Sequence, residues 1–402
     1  MMFRAEKHGL MLFDYNADKT HLLPAERFEL MQALLDEDGK EGWEPDSAIL
    51  KAAKRFPSDF FDEMALCEGI KSPPNAYRAP VLMNLELTTR CPLHCPQCYC
   101  DLHRGKDLPL ETALKYIGQA VRLKIPFINL SGGETMVYPH LLKLIEACSN
   151  GGLHPAVALS GYGFDRATLS AMRACGIGDI YISLNGSTQE VNACTRDGYE
   201  LAVEALRVLR ASSFRSYAVN WVAHRTNIDD FENMLALCRD NKVKRLVVLA
   251  FKPDSAHSLA GAPSLEQTAR LAGLIRRHEG TFEIEVESCY SPLKAHLSQH
   301  FFGNSNRGIS KGCGAGRDGI SVNVDGCLTP CRHLNMLERF DTIEDYWYHS
   351  KVLAQLRSVD GNPRFPCAEC RYCAYCLHCM AINAKLNGEI YKGNESCGLW
   401  SI

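Results

Sequence analysis

Val81-Leu82-Met83-Asn84-Leu85-Glu86-Leu87-Thr88-Thr89-Arg90-Cys91-Pro92-Leu93-His94-Cys95-Pro96-Gln97-Cys98 is the stretch on which the reading of this chain turns. The first seven residues are an apolar run that reads as a β-strand, and the stretch ends in three thiols spaced CxxxCxxC. Three thiolates on one short loop can hold three corners of a cubane iron–sulfur cluster and leave the fourth iron open. A fully ligated cluster only passes electrons, whereas an open iron can bind and activate a ligand. The competing reading is a zinc loop, which ordinarily needs cysteine pairs at CxxC with a second pair nearby.

Five further β-type runs follow, at Phe127–Leu130, Ala156–Leu159, Ile180–Leu184, Tyr217–Val222 and Leu246–Leu249. Amphipathic helices separate them, such as Leu110–Leu123 with Leu110, Leu114, Ile117 and Val121 on one face. This alternation predicts an α/β fold of parallel βα units, and six units make a partial (β/α)6 TIM-like barrel open on one side. The cysteine loop then sits at the carboxyl end of the first strand, where parallel α/β folds build their sites. Residues 1–75 form a separate α+β module: strands at Gly9–Tyr15 and His21–Leu23, a helix carrying Phe28, Met31, Leu34 and Leu35, and a second at Ala48–Phe56 behind Asp46-Ser47. That order fits a winged-helix-like fold, which can grip a leader peptide by strand addition, or a plain cap on the barrel. The barrel is assigned to 76–304, and the glycine- and cysteine-dense remainder, 305–402, to a small metal-held domain.

The 402 residues, 46% hydrophobic, are too many for one core. A net charge of −3 with interspersed signs offers no field for a phosphate backbone, so nucleic acid is not an expected partner. Charges in Met1-Met2-Phe3-Arg4-Ala5-Glu6-Lys7-His8 stand where a signal peptide needs its apolar core, and no stretch is apolar enough to cross a bilayer. A cytoplasmic protein with no membrane partner is therefore expected. In a reducing compartment 19 cysteines argue for metal ligation rather than disulfides.

Cys91, Cys95 and Cys98 at this spacing resemble the radical S-adenosylmethionine (SAM) superfamily, in which the open iron chelates SAM and an electron from the cluster releases a 5′-deoxyadenosyl radical. Gly132-Gly133-Glu134-Thr135, one βα unit on, resembles that family's Gly-Gly-Glu-Pro motif for the SAM amino group, with Thr135 in place of proline. Ser183-Leu184-Asn185-Gly186 resembles its Ser-Leu-Asp-Gly, with Asn185 for aspartate, and Ser183 and Asn185 fall on one side of the strand end. The resemblance implies Arg196 for the SAM carboxylate. Gln97 departs from the usual aromatic residue, and Tyr99 is the expected substitute near the adenine. Ser187 and Glu190 show a capping-box pattern that needs no cofactor.

Cys313, Gly326 and Cys331, then Cys367, Cys370, Cys376, Cys379 and Cys397, resemble the SPASM extension of radical SAM barrels, whose seven cysteines hold two auxiliary iron–sulfur clusters. Asp325-Gly326 reads as a hairpin turn after Ile320–Val324. The resemblance implies Cys367, Cys370, Cys376 and Cys397 for one cluster and Cys313, Cys331 and Cys379 for the other, with Cys327 or Cys373 as possible fourth ligand; a zinc ribbon is the alternative. Cys67, Cys100, Cys148, Cys175, Cys194, Cys238 and Cys289 read as small apolar residues rather than ligands. Asn220–Arg225, Asp254 and His257 follow strand ends and face the expected cavity, and no catalytic base stands out.

The resemblance implies three 4Fe-4S clusters and SAM, a flavodoxin- or ferredoxin-type electron donor, and a ribosomally made precursor peptide as substrate. An auxiliary cluster with an open iron would hold a substrate thiolate, so a Cys thioether of the ranthipeptide type is the expected product. A fully ligated cluster would instead favour carbon–carbon joining or residue oxidation, as in sulfatase maturases. A non-catalytic iron–sulfur or zinc protein is the rival from another class.

Overall fold

The computed structural model describes residues 1–17, 19–36, 47–98, 100, 105–253, 258–297, 312–359, 363–373, 376, 378–393 and 395–401. The N-terminal module is a three-stranded antiparallel sheet of β1 (Met2–Glu6), β2 (Gly9–Asp14) and β3 (Lys19–Pro24), followed by helices Phe28–Leu35, Ser47–Arg55 and Pro57–Leu66. Strand β1 and helix 57–66 were not expected. Charges at Arg4 and Glu6 mask β1's apolar alternation, and Pro57 reads as a breaker although it starts its helix.

Period-2 alternation divides that sheet's two faces. Phe3, Ala5, Leu10, Leu12 and Leu23 join Met31, Ile49, Ala52 and Phe60 in the module's own core. Met11 and Phe13 face Tyr77, Val81 and Phe127 of the barrel. Arg4 lies on the barrel face, fully buried, and its guanidinium donates to the carbonyls of Pro80 (2.7 Å) and Lys124 (3.1 Å) and pairs with Glu6 (2.7 Å). Among the described residues strand β3 pairs with β2 alone, which makes it an edge strand, with Lys19 and Leu22 exposed on it.

Six parallel strands make the barrel wall, in chain order: β4 (Leu82–Glu86), β5 (Phe127–Ser131), β6 (His154–Leu159), β7 (Asp179–Ser183), β8 (Tyr217–Ala223) and β9 (Arg245–Ala250). The sheet is wider than six. β10 (Glu283–Val286) adds parallel to β9 at one edge. At the other, β11 (Gly319–Val322) adds parallel to β4, and β12 (Leu328–Thr329) folds back on it through Gly326 at φ 72°, the expected hairpin. Sequence hides β10 because its outward residues Glu283 and Glu285 are charged; both reach the buried Arg245 guanidinium, at 3.7 and 3.2 Å.

Helix Leu110–Arg122 buries Ala113, Tyr116, Ile117 and Ala120. Its buried face is thus rotated from the expected one, with Leu110, Leu114 and Val121 at its margin. The expected 304/305 boundary falls in 298–311, outside the described residues. No helix among the described residues is long and apolar enough to cross a membrane.

Candidate active site

The loop after β4 returns to the strand ends because the glycine turn after β5 binds its root. Gly133 N–H donates to Thr88 O (2.7 Å) and Glu134 N–H to Arg90 O (2.9 Å). A Cβ on Gly132 would stand 2.5 Å from Thr88 O, and one on Gly133 would stand 2.4 Å from Arg90 O and 3.1 Å from the Cys91 Cβ. The two glycines therefore serve close approach to the cysteine loop itself. Arg90 fastens the same root to Asp107 (2.6 Å).

Cys91, Cys95 and Cys98 line a cavity of about 450 Å3 that runs along the barrel interior. Gly132, Gly133, Glu134, Ser183, Asn185 and Arg196 line it too, so the expected cofactor-facing residues meet in one place. Tyr99, Asp254 and His257 lie outside the described residues. Glu134 is buried; its carboxylate accepts from Met136 N–H (3.0 Å), Ser160 N–H (2.9 Å) and the Ser160 hydroxyl, which fixes its direction. Thr135, in the proline's place, donates to Ala158 O (3.0 Å). Asn185 donates to Thr195 (2.9 Å) and accepts from Val222 N–H (3.0 Å), so its amide ties β7 to β8 as well as facing the cavity. Gln97 meets His224 Nε2 at 3.0 Å, joining the cysteine loop to the end of β8.

Ser187 is not a helix cap. It donates to Asp230 (2.5 Å), and Thr188 caps helix Gln189–Ala193 by accepting from Val191 N–H (3.4 Å). The sequence missed this because two adjacent hydroxyl residues both suit the cap and only one is free to take it.

A hydrogen bond from the Cys100 thiol draws Cys98 down to about 7 against the effect of burial, while burial raises Cys91. Cys100 lines the cavity and is thus no inert core thiol. Cys194 is exposed, also against expectation, whereas Cys67, Cys148 and Cys238 are buried.

The far wall of the cavity carries Cys313 and Cys331, from either side of the β11–β12 hairpin, together with Cys289 from beyond β10. The Cys289 thiol is hydrogen-bonded to Cys379, and Cys313 is raised by burial and by Cys289 and Cys331 beside it. Cys289 therefore lies with Cys313, Cys331 and Cys379, a neighbourhood that its reading as a small apolar residue did not include. Cys327 stands instead by Tyr116, whose hydroxyl donates to Gly326 O (2.9 Å), and lines neither thiol-walled cavity.

A second cavity, of about 120 Å3, is walled by Cys367, Cys370, Cys376 and Cys397. Burial and mutual proximity push Cys367 and Cys376 up to about 12. Cys373 lies near Cys367. His378 Nδ1 stands 3.3 Å from the Cys367 sulfur, and a Cβ on Gly393 would come within 2.3 Å of it. Among the described residues no three Cys, His, Asp or Glu side chains converge on a point for a single ion.

These donors fit the groups the sequence implies. Three thiols on the first loop suit a cluster with an open corner. Arg196 Nε is buried at the cavity wall without a partner among the described residues, as a carboxylate-binding guanidinium would be. The glycine at 393 leaves room at the second thiol set that any side chain would fill.

Residues 85–238 match the model of the Radical SAM superfamily. The PqqA peptide cyclase of Ruegeria pomeroyi is 28% identical over 315 residues, 73% of this chain and 81% of that protein. In fold, the chain is similar to Streptococcus suis SuiB bound to precursor peptide SuiA, with a TM-score of 0.74 and 17% identity over 99% of this chain and 98% of SuiB. It is also similar to anSMEcpe with bound AdoMet, with a TM-score of 0.61 and 14% identity over 80% of this chain and 95% of that one. With the family match lying across the cysteine loop and the glycine turn, residues 85–238 form a radical SAM domain, and the chain resembles peptide maturases.

Proposed function

We propose that this enzyme modifies a ribosomally made precursor peptide and that the bond it installs joins carbon to carbon within that peptide. The observation that carries the choice of bond is the gathering of Cys289 with Cys313, Cys331 and Cys379. Four thiols support a closed auxiliary cluster, and a closed cluster offers no position to a substrate thiolate. The reason for a thioether depended on an open iron and weakens with it. A cyclase among the relatives supports an intramolecular bond.

On this reading Cys91, Cys95 and Cys98 hold the first four-iron cluster, and Cys367, Cys370, Cys376 and Cys397 the third. Cluster and SAM together supply a 5′-deoxyadenosyl radical, which abstracts hydrogen. The chain's own residues place and shield that chemistry. Arg196, whose Nε has no partner among the described residues, would hold the SAM carboxylate, and Glu134, fixed by Ser160 and Met136, would hold the ammonium. Ser183 and Asn185 face the same space. The position of β3 at the sheet edge suits a leader segment added as a fourth strand, and clamping by Arg4 holds that module on the barrel. Such a reaction belongs in the cytoplasm, with a flavodoxin- or ferredoxin-type electron donor.

The test is anaerobic co-expression with a short open reading frame sought beside this gene, followed by intact mass and thiol count of the peptide. Loss of two hydrogens with every thiol still alkylatable is expected. Loss of two hydrogens with one thiol would establish a thioether instead. A peptide left unchanged by enzyme that cleaves SAM would overturn the assignment of that peptide as substrate.

A further inference from the structure

Joining two side-chain carbons removes two hydrogens. One leaves as an atom, taken by the deoxyadenosyl radical to give 5′-deoxyadenosine. The carbon radical then adds to the second side chain and forms the new bond. The adduct must still lose one electron, to a one-electron acceptor of the iron–sulfur class, and one proton from the carbon just attacked. That proton needs a base inside the cavity. We propose that Asp318 is that base, a catalytic residue whose carboxylate breaks the C–H bond as the adduct gives up its electron. The inference rests on the carbon–carbon reading above.

The geometry singles it out among the cavity's acids. Glu134 already accepts three hydrogen bonds. Glu287 is clamped by Lys252, at 2.7 Å to each oxygen, and by Ala250 N–H (2.9 Å). His333, the imidazole on this cavity's wall, is set against the thiols, its backbone N–H 3.4 Å from the Cys331 sulfur. Among the described residues no side chain hydrogen-bonds Asp318, and its own backbone N–H is its donor. Arg317 is the charged neighbour, and its guanidinium donates to the carbonyls of Leu356 (3.0 Å) and Arg357 (3.4 Å). Lys252–Glu287, Glu134, Arg196 and Arg332 line other parts of the cavity wall.

Asp318 sits beside the start of β4, where its carbonyl receives Val81 N–H (2.7 Å) and Leu82 N–H (3.0 Å). The Cys91 loop follows the end of that strand, which for five residues is about 17 Å away. The carboxylate is packed over Gly314, where a Cβ would meet Oδ1 at 1.9 Å, so the surface left to it faces the cavity. Burial holds this carboxyl up to about 7, against Arg317. A base titrating there is matched to neutral pH.

Holoenzyme carrying Asp318→Asn and Asp318→Glu, assayed with the peptide deuterated at its reactive carbons, tests the role. In D318N, deuterium transfer into 5′-deoxyadenosine should persist within about twofold while crosslinked product falls about 100-fold, with partial recovery in D318E. Wild-type product should rise with pH through about 7. In peptide-free protein a protonated-carboxyl infrared band should titrate in the same range and vanish in D318N. Equal product and an unchanged pH profile in D318N would overturn the proposal, as would the absence of the band from wild type. A parallel loss of deoxyadenosine and iron content would mark Asp318 as structural and overturn it too. Should wild type yield a thioether or leave the peptide unmodified, the carbon–carbon reading fails separately, and the infrared titration still decides whether Asp318 ionises near neutrality.

Discussion

Replacing Gly133 with alanine tests whether the glycine turn exists to seat the cysteine loop. Gly133 has no left-handed φ, so on backbone grounds alone alanine should stabilise by about 0.4–1 kcal/mol, through a stiffer unfolded chain. Its Cβ, however, would lie 2.4 Å from Arg90 O, where ordinary contact begins at 3.4 Å. Backbone must yield by roughly 1 Å, an overpacking cost of about 1–3 kcal/mol. Yielding stretches the Gly133–Thr88 and Glu134–Arg90 hydrogen bonds, each worth about 0.5–1.5 kcal/mol. The balance is a net loss of about 1–5 kcal/mol, or a displaced Cys91 loop that loads iron poorly. Gly273→Ala is the control: it lies inside helix Leu265–Arg277 with nothing within 4 Å of a new Cβ, and should stabilise by about 1 kcal/mol. Urea midpoints and iron per chain measure both. Wild-type values of both in G133A would refute the reasoning.

Removing Arg4 as Arg4→Met should cost about 3–5 kcal/mol, because it strands the Pro80 and Lys124 carbonyls and the buried Glu6; limited proteolysis should then release residues 1–75 ahead of the barrel. Arg196→Gln should weaken SAM binding by about 10–100-fold in equilibrium dialysis of reconstituted protein, with stability unchanged, since Nε has no protein partner to lose. Asp179 is held well below the ordinary carboxylate range, burial opposing and His154 (2.9 Å), Ser216 (2.7 Å) and Arg245 favouring the charged form. A depressed native value gives stability that is complete above about pH 5 and lost as pH falls through the ordinary value and below it. Asp179→Asn should therefore lower stability at pH 7 and flatten the acid limb of the urea midpoint against pH. A limb as steep as wild type's would mean that other carboxylates drive acid unfolding.

The barrel was legible because its strands are buried on both faces and so read as continuous apolar runs, and all six fell within two residues of expectation. The edges were not. β10 alternates Glu with Ile and Val, since half its side chains reach Arg245. β11 reads as a hairpin arm, and nothing local says that it also pairs with β4, more than 230 positions earlier. Within the site, residue types were legible and partners were not. Glycine-glycine signals close approach by something, and only the fold identifies Arg90 and Thr88 as the approaching groups.

Cys289 shows what spacing alone leaves out of the auxiliary thiols' neighbourhood. Motif reasoning groups cysteines that are near in sequence, and it offered Cys327 and Cys373 because both lie inside the run from 313 to 397. A partial barrel imposes another neighbourhood. Its two free edges, β10 and β12, must be covered where the wall fails to close, and the segments leaving them meet at the same cavity wall. Cys289 leaves β10 and Cys331 leaves β12, so two thiols that are distant in sequence are brought together at the gap itself. The same placement gives the thiols their chemistry: a group held there faces the cavity that Cys91 faces from the strand ends. Cys289→Ser decides between the two ligand sets. If Cys289 is the fourth ligand, the variant should lose the spectrum of one auxiliary cluster or convert it to a site that binds added thiol, while C327S and C373S keep wild-type iron. Iron and spectra unchanged in C289S, with loss in C327S or C373S, would restore the sequence-based assignment and with it the case for a thioether.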